Sequence, residues 1–365
     1  MKQGRELNDL AAEITRQHKS KHDYVANTNA ITMHADTLGE PRLLLKDMET
    51  LFGINDIAHG QIAEHTKIPK QYYDRMRNDA PHLLANNVNE WFTKYPTPRM
   101  LRTLDNRARA LLSTAFRPLD NYDFASAILP VLADRNLTVM SCEITEKRLY
   151  LKAVDEQLYR DVPVGHKMGD GSHTIFSTCA PVIIASNSEV GFGRLTLDTG
   201  VCDRGCTNLA LWSDGGLKRT HVGARHKLLE DVENIDAYLS EKTKAKTDEA
   251  LWLQVRDVLA AAFNPEFIAA RGEKITAASK NRIEGKVDKV VEVFAAKNML
   301  NATEQESIFK HLIEGGSLSQ YGLHAAVTRA AQDVASYDRA TVLEYLGGRV
   351  IELPKNEWEQ LAQAA

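Results

Sequence analysis

Apolar positions recur at helical spacing near both ends of the chain and at strand-like spacing in between. Phe124, Ile128 and Leu132, within Tyr122–Leu132, fall at i, i+4 and i+8, the stripe by which a helix meets a core. Leu51–Met76 carries helical apolar spacing broken at Pro69. Leu137–Thr145 and Arg148–Val154 are β-prone runs joined at Glu146-Lys147, which predicts a hairpin. Pro181–Ser186 suits a buried strand, and Arg194–Leu197 and Thr207–Trp212 predict two more. After Gly223 the pattern becomes helical over Leu228–Phe263, Ile275–Phe294, Thr303–Ile313 and Gln320–Ala335. Asn264-Pro265 and Gly272 predict an internal joint there. Gly347-Gly348 predicts a helix end, with Arg349–Leu353 returning as an edge strand.

Glycine sharpens this division: of 21 glycines, four fall in residues 1–164, ten in 165–223 and seven in 224–365. The glycine-dense middle is the strand- and loop-rich part. The expected architecture is α+β: a central mixed or antiparallel sheet, flanking N-terminal helices and a helical C-terminal domain. Its expected divisions are a helical or extended arm over 1–50, an α+β core over 51–223 and a helical domain over 224–365.

With 43% hydrophobic and 26% charged residues, the 365-residue chain has a globular composition. Its net charge of -4 excludes a chain-wide positive field, so any nucleic-acid or anionic site must be local. Lacking an apolar run of membrane-spanning length and beginning with a charged helix-like stretch, the chain is expected in the cytoplasm, without a membrane partner. Its four cysteines, Cys142, Cys179, Cys202 and Cys206, are too few for a disulfide framework and read as core thiols or metal ligands.

The strongest local anion site is Thr93–Asn121, where six basic residues face two acidic ones. Pairing of Arg99–Leu104 with Ala108–Thr114 around Asp105-Asn106 would put Arg99 and Arg102 on opposite faces. Arg99, Arg102, Arg107, Arg109 and Arg117 are candidates for phosphate contacts, and Tyr95 and Phe116 for base stacking. The competing reading has these arginines paired with carboxylates elsewhere. Gln61–Met76 resembles a helix-turn-helix, with Lys70, Tyr72, Tyr73 and Arg75 on its second helix; the larger reading is a structural corner that touches no DNA.

Cys202 and Cys206 followed by His221 and His226 have the ligand types of a zinc site, against a reading as buried thiols and partly exposed histidines. Zinc is the sole cofactor the residues suggest. Gly191-x-Gly193 lacks the third glycine and the strand-to-helix setting of a dinucleotide loop, and predicts a tight turn in which Glu189 has no visible acid–base partner. Tyr321, His324, Thr328, Arg329 and Asp333 form a polar band along one helix, either a binding surface or a buried hydrogen-bonded strip. Nucleophile-elbow, Walker and His-Glu-x-x-His motifs are absent from the sequence, so no residue is assigned to catalysis and the reading leans away from an enzyme.

FGINDIAHGQIAEHTKIPKQYYDRM, RALLSTAFRPLDNYD, SNSEVGFGRL, Cys206-Thr207-Asn208, THVGARH and the run from Tyr321 to Pro354 resemble, in order, the blocks of the phage/plasmid-like family of unknown function. The chain departs from that pattern at Leu209, where the family more often has glycine. The resemblance implies a bacteriophage or plasmid protein acting in a bacterial host cell. The layout is also similar, at fold level, to single-strand-annealing recombination proteins, which implies a basic groove for single-stranded DNA and assembly into a homo-oligomer. The resulting expectation is a non-catalytic protein that binds single-stranded nucleic acid in replication or recombination. The alternative is an inhibitor or adaptor that engages a host protein.

Overall fold

The computed structural model describes residues 1–35, 39–46, 48–167, 173–204, 208–221, 240–261, 263 and 265–364. In chain order the N-terminal part runs α1 (Leu7–Ser20), β1 (His22–Asn27), β2 (Ile31–His34), β3 (Arg42–Leu45), β4 (Leu51–Ile54), α2 (Asp56–Thr66), α3 (Lys70–Asp79), α4 (Pro81–Lys94), β5 (Pro98–Leu104) and β6 (Arg107–Ser113). Its strands form a six-stranded sheet in the order β1-β5-β6-β4-β3-β2. The β4–β6 pair is parallel, Gly53 opposite Arg107, because α2, α3, α4 and β5 intervene as a crossover. Residues 22–45, expected within an N-terminal arm, thus supply three strands of this sheet.

The β5–β6 hairpin turns where the sequence predicts, at Asp105 and Asn106, with φ of 51° and 56°. Successive left-handed residues match the twist of paired strands, and Asp and Asn tolerate that conformation. One face of the sheet packs Leu43, Phe52, Ile54, Leu101 and Leu111 against Ile62, Leu84 and Phe92 of the helices.

The chain continues with α5 (Asn121–Asp134), β7 (Thr138–Ile144), β8 (Leu149–Val154), β9 (Arg160–Lys167), β10 (His173–Asn187), β11 (Leu195–Asp203) and β12 (Leu209–Arg219). These strands form an antiparallel sheet ordered β12-β11-β10-β8-β7, with β9 on the outer part of long β10. The strand runs predicted between Leu137 and Trp212 overlap β7, β8, β10, β11 and β12, with Thr207 outside the described residues. Both faces are covered, which explains the nearly unbroken apolar strands. Leu151, Ile183, Ala185 and Leu197 meet α1 and α5, while Val182, Ile184 and Leu211 face the other way.

Helices α6 (Glu241–Ala261), α7 (Pro265–Lys280), α8 (Val287–Lys297), α9 (Ala302–Glu314), α10 (Gln320–Asp333), α11 (Tyr337–Ile351) and α12 (Lys355–Ala362) complete the fold. Four expectations are corrected here. Ile275–Phe294 is interrupted after Lys280, and Gly272, expected at a joint, lies buried inside α7 against Val162. The glycine pair does not end a helix: α11 runs through Gly347 and Gly348 to Ile351, so Arg349–Leu353 forms no strand. A Cβ at Gly347 would stand 2.3 Å from Thr328 Cγ2, and one at Gly348 2.0 Å from the Leu211 carbonyl oxygen, so these glycines serve close packing.

The architecture is therefore α+β, with mixed and antiparallel sheets and helices toward both ends. Among the described residues no helix is long and apolar enough to cross a membrane.

Candidate nucleic-acid interface

A cleft of about 1300 Å³ opens between the α2–α3 corner, the end of α4 and the β5–β6 hairpin. Its corner wall is the predicted helix-turn-helix. Ile62, Ala63 and Ile68 are buried, as their spacing predicts, and the chain turns at Lys67 with φ of 57°. Pro69 precedes α3 and its carbonyl accepts from Tyr73 N at 2.9 Å. Tyr73 is buried with its hydroxyl 2.8 Å from His59 Nδ1, whereas Tyr72, one step around the helix, is exposed on the cleft.

Trp91 and Tyr95, one helical turn apart at the end of α4, stack with ring centroids 5.9 Å apart and planes 8° from parallel. Lys94 Nζ sits 5.6 Å from the indole centroid and 5.9 Å from the phenol centroid. The pair offers a flat π surface beside a positive charge, the combination on which unpaired bases stack. Tyr95 is the predicted stacking residue. Trp91 escaped the sequence reading, although its i, i+4 spacing to Tyr95 was the signal.

Arg99 projects from β5 into the same cleft and its Nη2 donates to His65 Nδ1 across 2.8 Å. Burial, and then the Arg99 charge, push the His65 pKa down to about 4, so the imidazole is neutral near pH 7 and serves as acceptor. Lys67 adds a second cation at the corner.

The other predicted arginines lie elsewhere. Arg102, on the opposite face of β5 as alternation requires, is completely buried. Its guanidinium binds both Asp23 oxygens at 2.8 and 2.9 Å, Asp120 Oδ1 at 2.9 Å and the Glu189 carbonyl at 2.9 Å. Burial favours a neutral Asp120, but Arg102 and Lys21 outweigh it and hold this carboxyl at about 2. Arg109 is buried against Glu189, and Arg117 pairs with Asp248 at 2.5 Å. These three tie elements together from inside, so phosphate contact by Arg102, Arg109 and Arg117 gives way to the carboxylate pairing that competed with it. Arg107 is half-exposed and donates to the Ile54 carbonyl at 3.0 Å. Phe116 is corrected too: it is buried, its ring stacked on His221 at 4.9 Å, and presents no face to a base.

Glu189, expected without a partner, accepts from Arg109 Nη1 at 2.8 Å and from the Asn121 backbone N–H at 2.7 Å. The turn predicted beside it is present, with positive φ at Gly191 and Gly193. Of the predicted zinc ligands, Cys202 is packed among Tyr150, Val182 and Leu211, whereas His221 lies against Phe116 and Nδ1 faces the Arg117 carbonyl at 3.2 Å. They occupy different packing environments. Cys206 and His226 lie outside the described residues, and among those described no group of three or more His, Cys, Asp or Glu side chains is placed to hold a metal.

The polar band of α10 divides between interior and surface. His324 is buried, its Nδ1 2.9 Å from the Gly347 carbonyl, and Thr328 returns its hydroxyl to the His324 carbonyl at 3.0 Å. Asp333 meets Ser307 and His311, each at 2.7 Å, and Arg329 donates to Gln332. The inner part of this band is the buried hydrogen-bonded strip.

Comparison of the chain with protein-family models, curated proteins and solved structures finds no match to any of the three.

Proposed function

We propose that this protein binds single-stranded nucleic acid without sequence preference, in the cleft between the α2–α3 corner and the β5–β6 hairpin. The observation that carries the reading is the stacked Trp91–Tyr95 pair with Lys94 against it, on a cleft that also holds Arg99, Lys67 and exposed Tyr72. Aromatic faces accept any base, and nearby cations follow the phosphates, which is the chemistry of sequence-tolerant strand binding. An intact duplex hides its base faces, so the cleft favours single strands. The resemblance to a phage and plasmid family supports placing such binding in replication or recombination of a mobile element within a bacterial cytoplasm. The reading requires no catalytic step.

The test is fluorescence anisotropy with a labelled strand of about 40 nucleotides and the matching duplex, at about 50 and 200 mM salt. With Lys67, Lys94 and Arg99 as phosphate contacts, the logarithmic salt slope should be about -2, so strand affinity falls about tenfold or more over that range. Trp91→Ala and Tyr95→Ala should each weaken strand binding. Absence of wild-type binding to either nucleic acid overturns the reading and favours a host-protein partner.

A further inference from the structure

A second pocket, of about 480 Å³, begins where the strand-binding cleft ends: Gly191 lines the first, and its chain neighbours Phe192 and Gly193 line the second. The Ser188–Arg194 turn therefore separates two adjoining hollows. We propose that the second is a nucleotide subsite, taking a base on Phe192 and its phosphate on Lys147, Arg194 and Lys218.

Phe192 is 46% exposed on a turn whose backbone is firmly held. Arg148 holds it, donating to the Phe192 carbonyl at 3.1 Å, the Arg194 carbonyl at 2.9 Å and Ser186 Oγ at 2.7 Å. The fit is tight enough that a Cβ at Gly193, where φ is 140°, would stand 1.9 Å from Arg148 Nη1. A ring presented to solvent on a braced turn is a preorganised stacking face. Lys147 Nζ lies 5.5 Å from its centroid, so a cation already accompanies the ring. Arg194 and Lys218 place two more on the pocket walls.

The interior of the pocket adds polar recognition. Asp198 and Thr341 are each 3% exposed, and among the described residues Asp198 Oδ1 and Thr341 Oγ1 have no hydrogen-bond partner. The other Asp198 oxygen accepts from Tyr345 OH at 2.7 Å, which fixes the carboxyl in place. Unpaired buried polar atoms are costly, and a wall that keeps an acceptor and a hydroxyl in reserve suits the polar edge of a base. Ring, cations and polar wall together match a nucleoside phosphate, supplied either as a free nucleotide or as one unit of a bound strand. Only the strand source rests on the nucleic-acid binding proposed above.

Calorimetric titration distinguishes the outcomes. Wild type, Phe192→Ala, the Lys147→Glu/Arg194→Glu double variant and Trp91→Ala would each be titrated with a nucleoside 5′-monophosphate, inorganic phosphate and a short single-stranded oligonucleotide. The mononucleotide should bind wild type more tightly than inorganic phosphate and weaken about tenfold in the Phe192 and Lys147/Arg194 variants. Displacement of the mononucleotide by oligonucleotide, with weakened oligonucleotide binding in Phe192→Ala, identifies the strand as source; mononucleotide binding that the oligonucleotide does not displace identifies a free nucleotide. Weaker oligonucleotide binding in Phe192→Ala, even without measurable mononucleotide affinity, supports the strand source. The subsite is overturned if Phe192→Ala and the double variant alter neither titration, or if wild type binds neither ligand. Mononucleotide binding without a Trp91-sensitive oligonucleotide would sink the first cleft and leave the second standing.

Discussion

Arg109 and Glu189, eighty residues apart, meet through Nη1 and Oε2 at 2.8 Å with both side chains almost wholly buried. Glu189 also receives the Asn121 N–H at the start of α5, so one carboxylate joins β6, the Ser188–Arg194 turn and α5. Removing one partner leaves an uncompensated buried charge. Arg109→Ala or Glu189→Ala should therefore cost about 3–5 kcal/mol, whereas Arg109→Met with Glu189→Leu should recover a large part of that loss. Urea unfolding of the single and double variants checks the cycle; additive losses would show that the pair does not couple.

This pair also shows where the sequence is readable. Alternation along β5 separates Arg99 from Arg102, and the Asp105-Asn106 turn fixes the hairpin, so the faces of these strands follow from local residues. Which face is buried does not. Arg102 turns inward because Asp23, Asp120 and the Glu189 carbonyl converge on it from three distant segments, and a charge surplus counted over Thr93–Asn121 includes none of Asp23, Glu189 and Asp248. The same limit explains Phe116, whose partner His221 lies beyond the second sheet in sequence. The Trp91–Tyr95 stack, in contrast, is a local helical pair and was open to sequence reading.

The two arginines of β5 should separate stability from binding. Arg102→Ala should lower stability by about 3 kcal/mol or more, since Asp23 and Asp120 lose a buried partner. Arg99→Ala should shift stability by about 1 kcal/mol or less, yet lower the salt slope of strand binding by about 0.7. Thermal unfolding and anisotropy on both variants check this. Equal stability losses with an unchanged salt slope would remove Arg99 from the interface.

Stability should fall as the solution is acidified from pH 7 to pH 4. Burial lowers the pKa of His59 to about 3 and that of His324 to about 4, below the ordinary value of 6.5. The unfolded chain therefore binds more protons than the folded one between those values. The stabilisation is complete above about 6.5 and lost progressively as pH falls toward the folded pKa. Each histidine should contribute on the order of 3 kcal/mol to the loss at pH 4. His324→Gln, measured by urea unfolding across this range, should be less stable at pH 7 but show a shallower decline. An unchanged slope would mean that His324 is not held neutral.

Glycine substitutions in two helices should have opposite signs, because one tests space and the other propensity. In α11, alanine at Gly348 would drive its methyl to 2.0 Å from the Leu211 carbonyl oxygen of β12, a backbone atom that cannot rotate away. Gly348→Ala must push helix and sheet apart, and the overpacking should outweigh the helix-propensity gain of about 1 kcal/mol, for a net loss of about 1–3 kcal/mol. In α2, a Cβ at Gly60 would meet only Lys70 Cε, at 4.0 Å, the yielding end of a flexible side chain. Gly60→Ala therefore keeps the propensity gain and should stabilise by about 0.5–1 kcal/mol. Thermal melts of the two variants against wild type should bracket the parent. A stable Gly348→Ala protein would mean that α11 does not lie as close to β12 as the Leu211 contact requires, and the close-packing account of the glycine pair would fall with it.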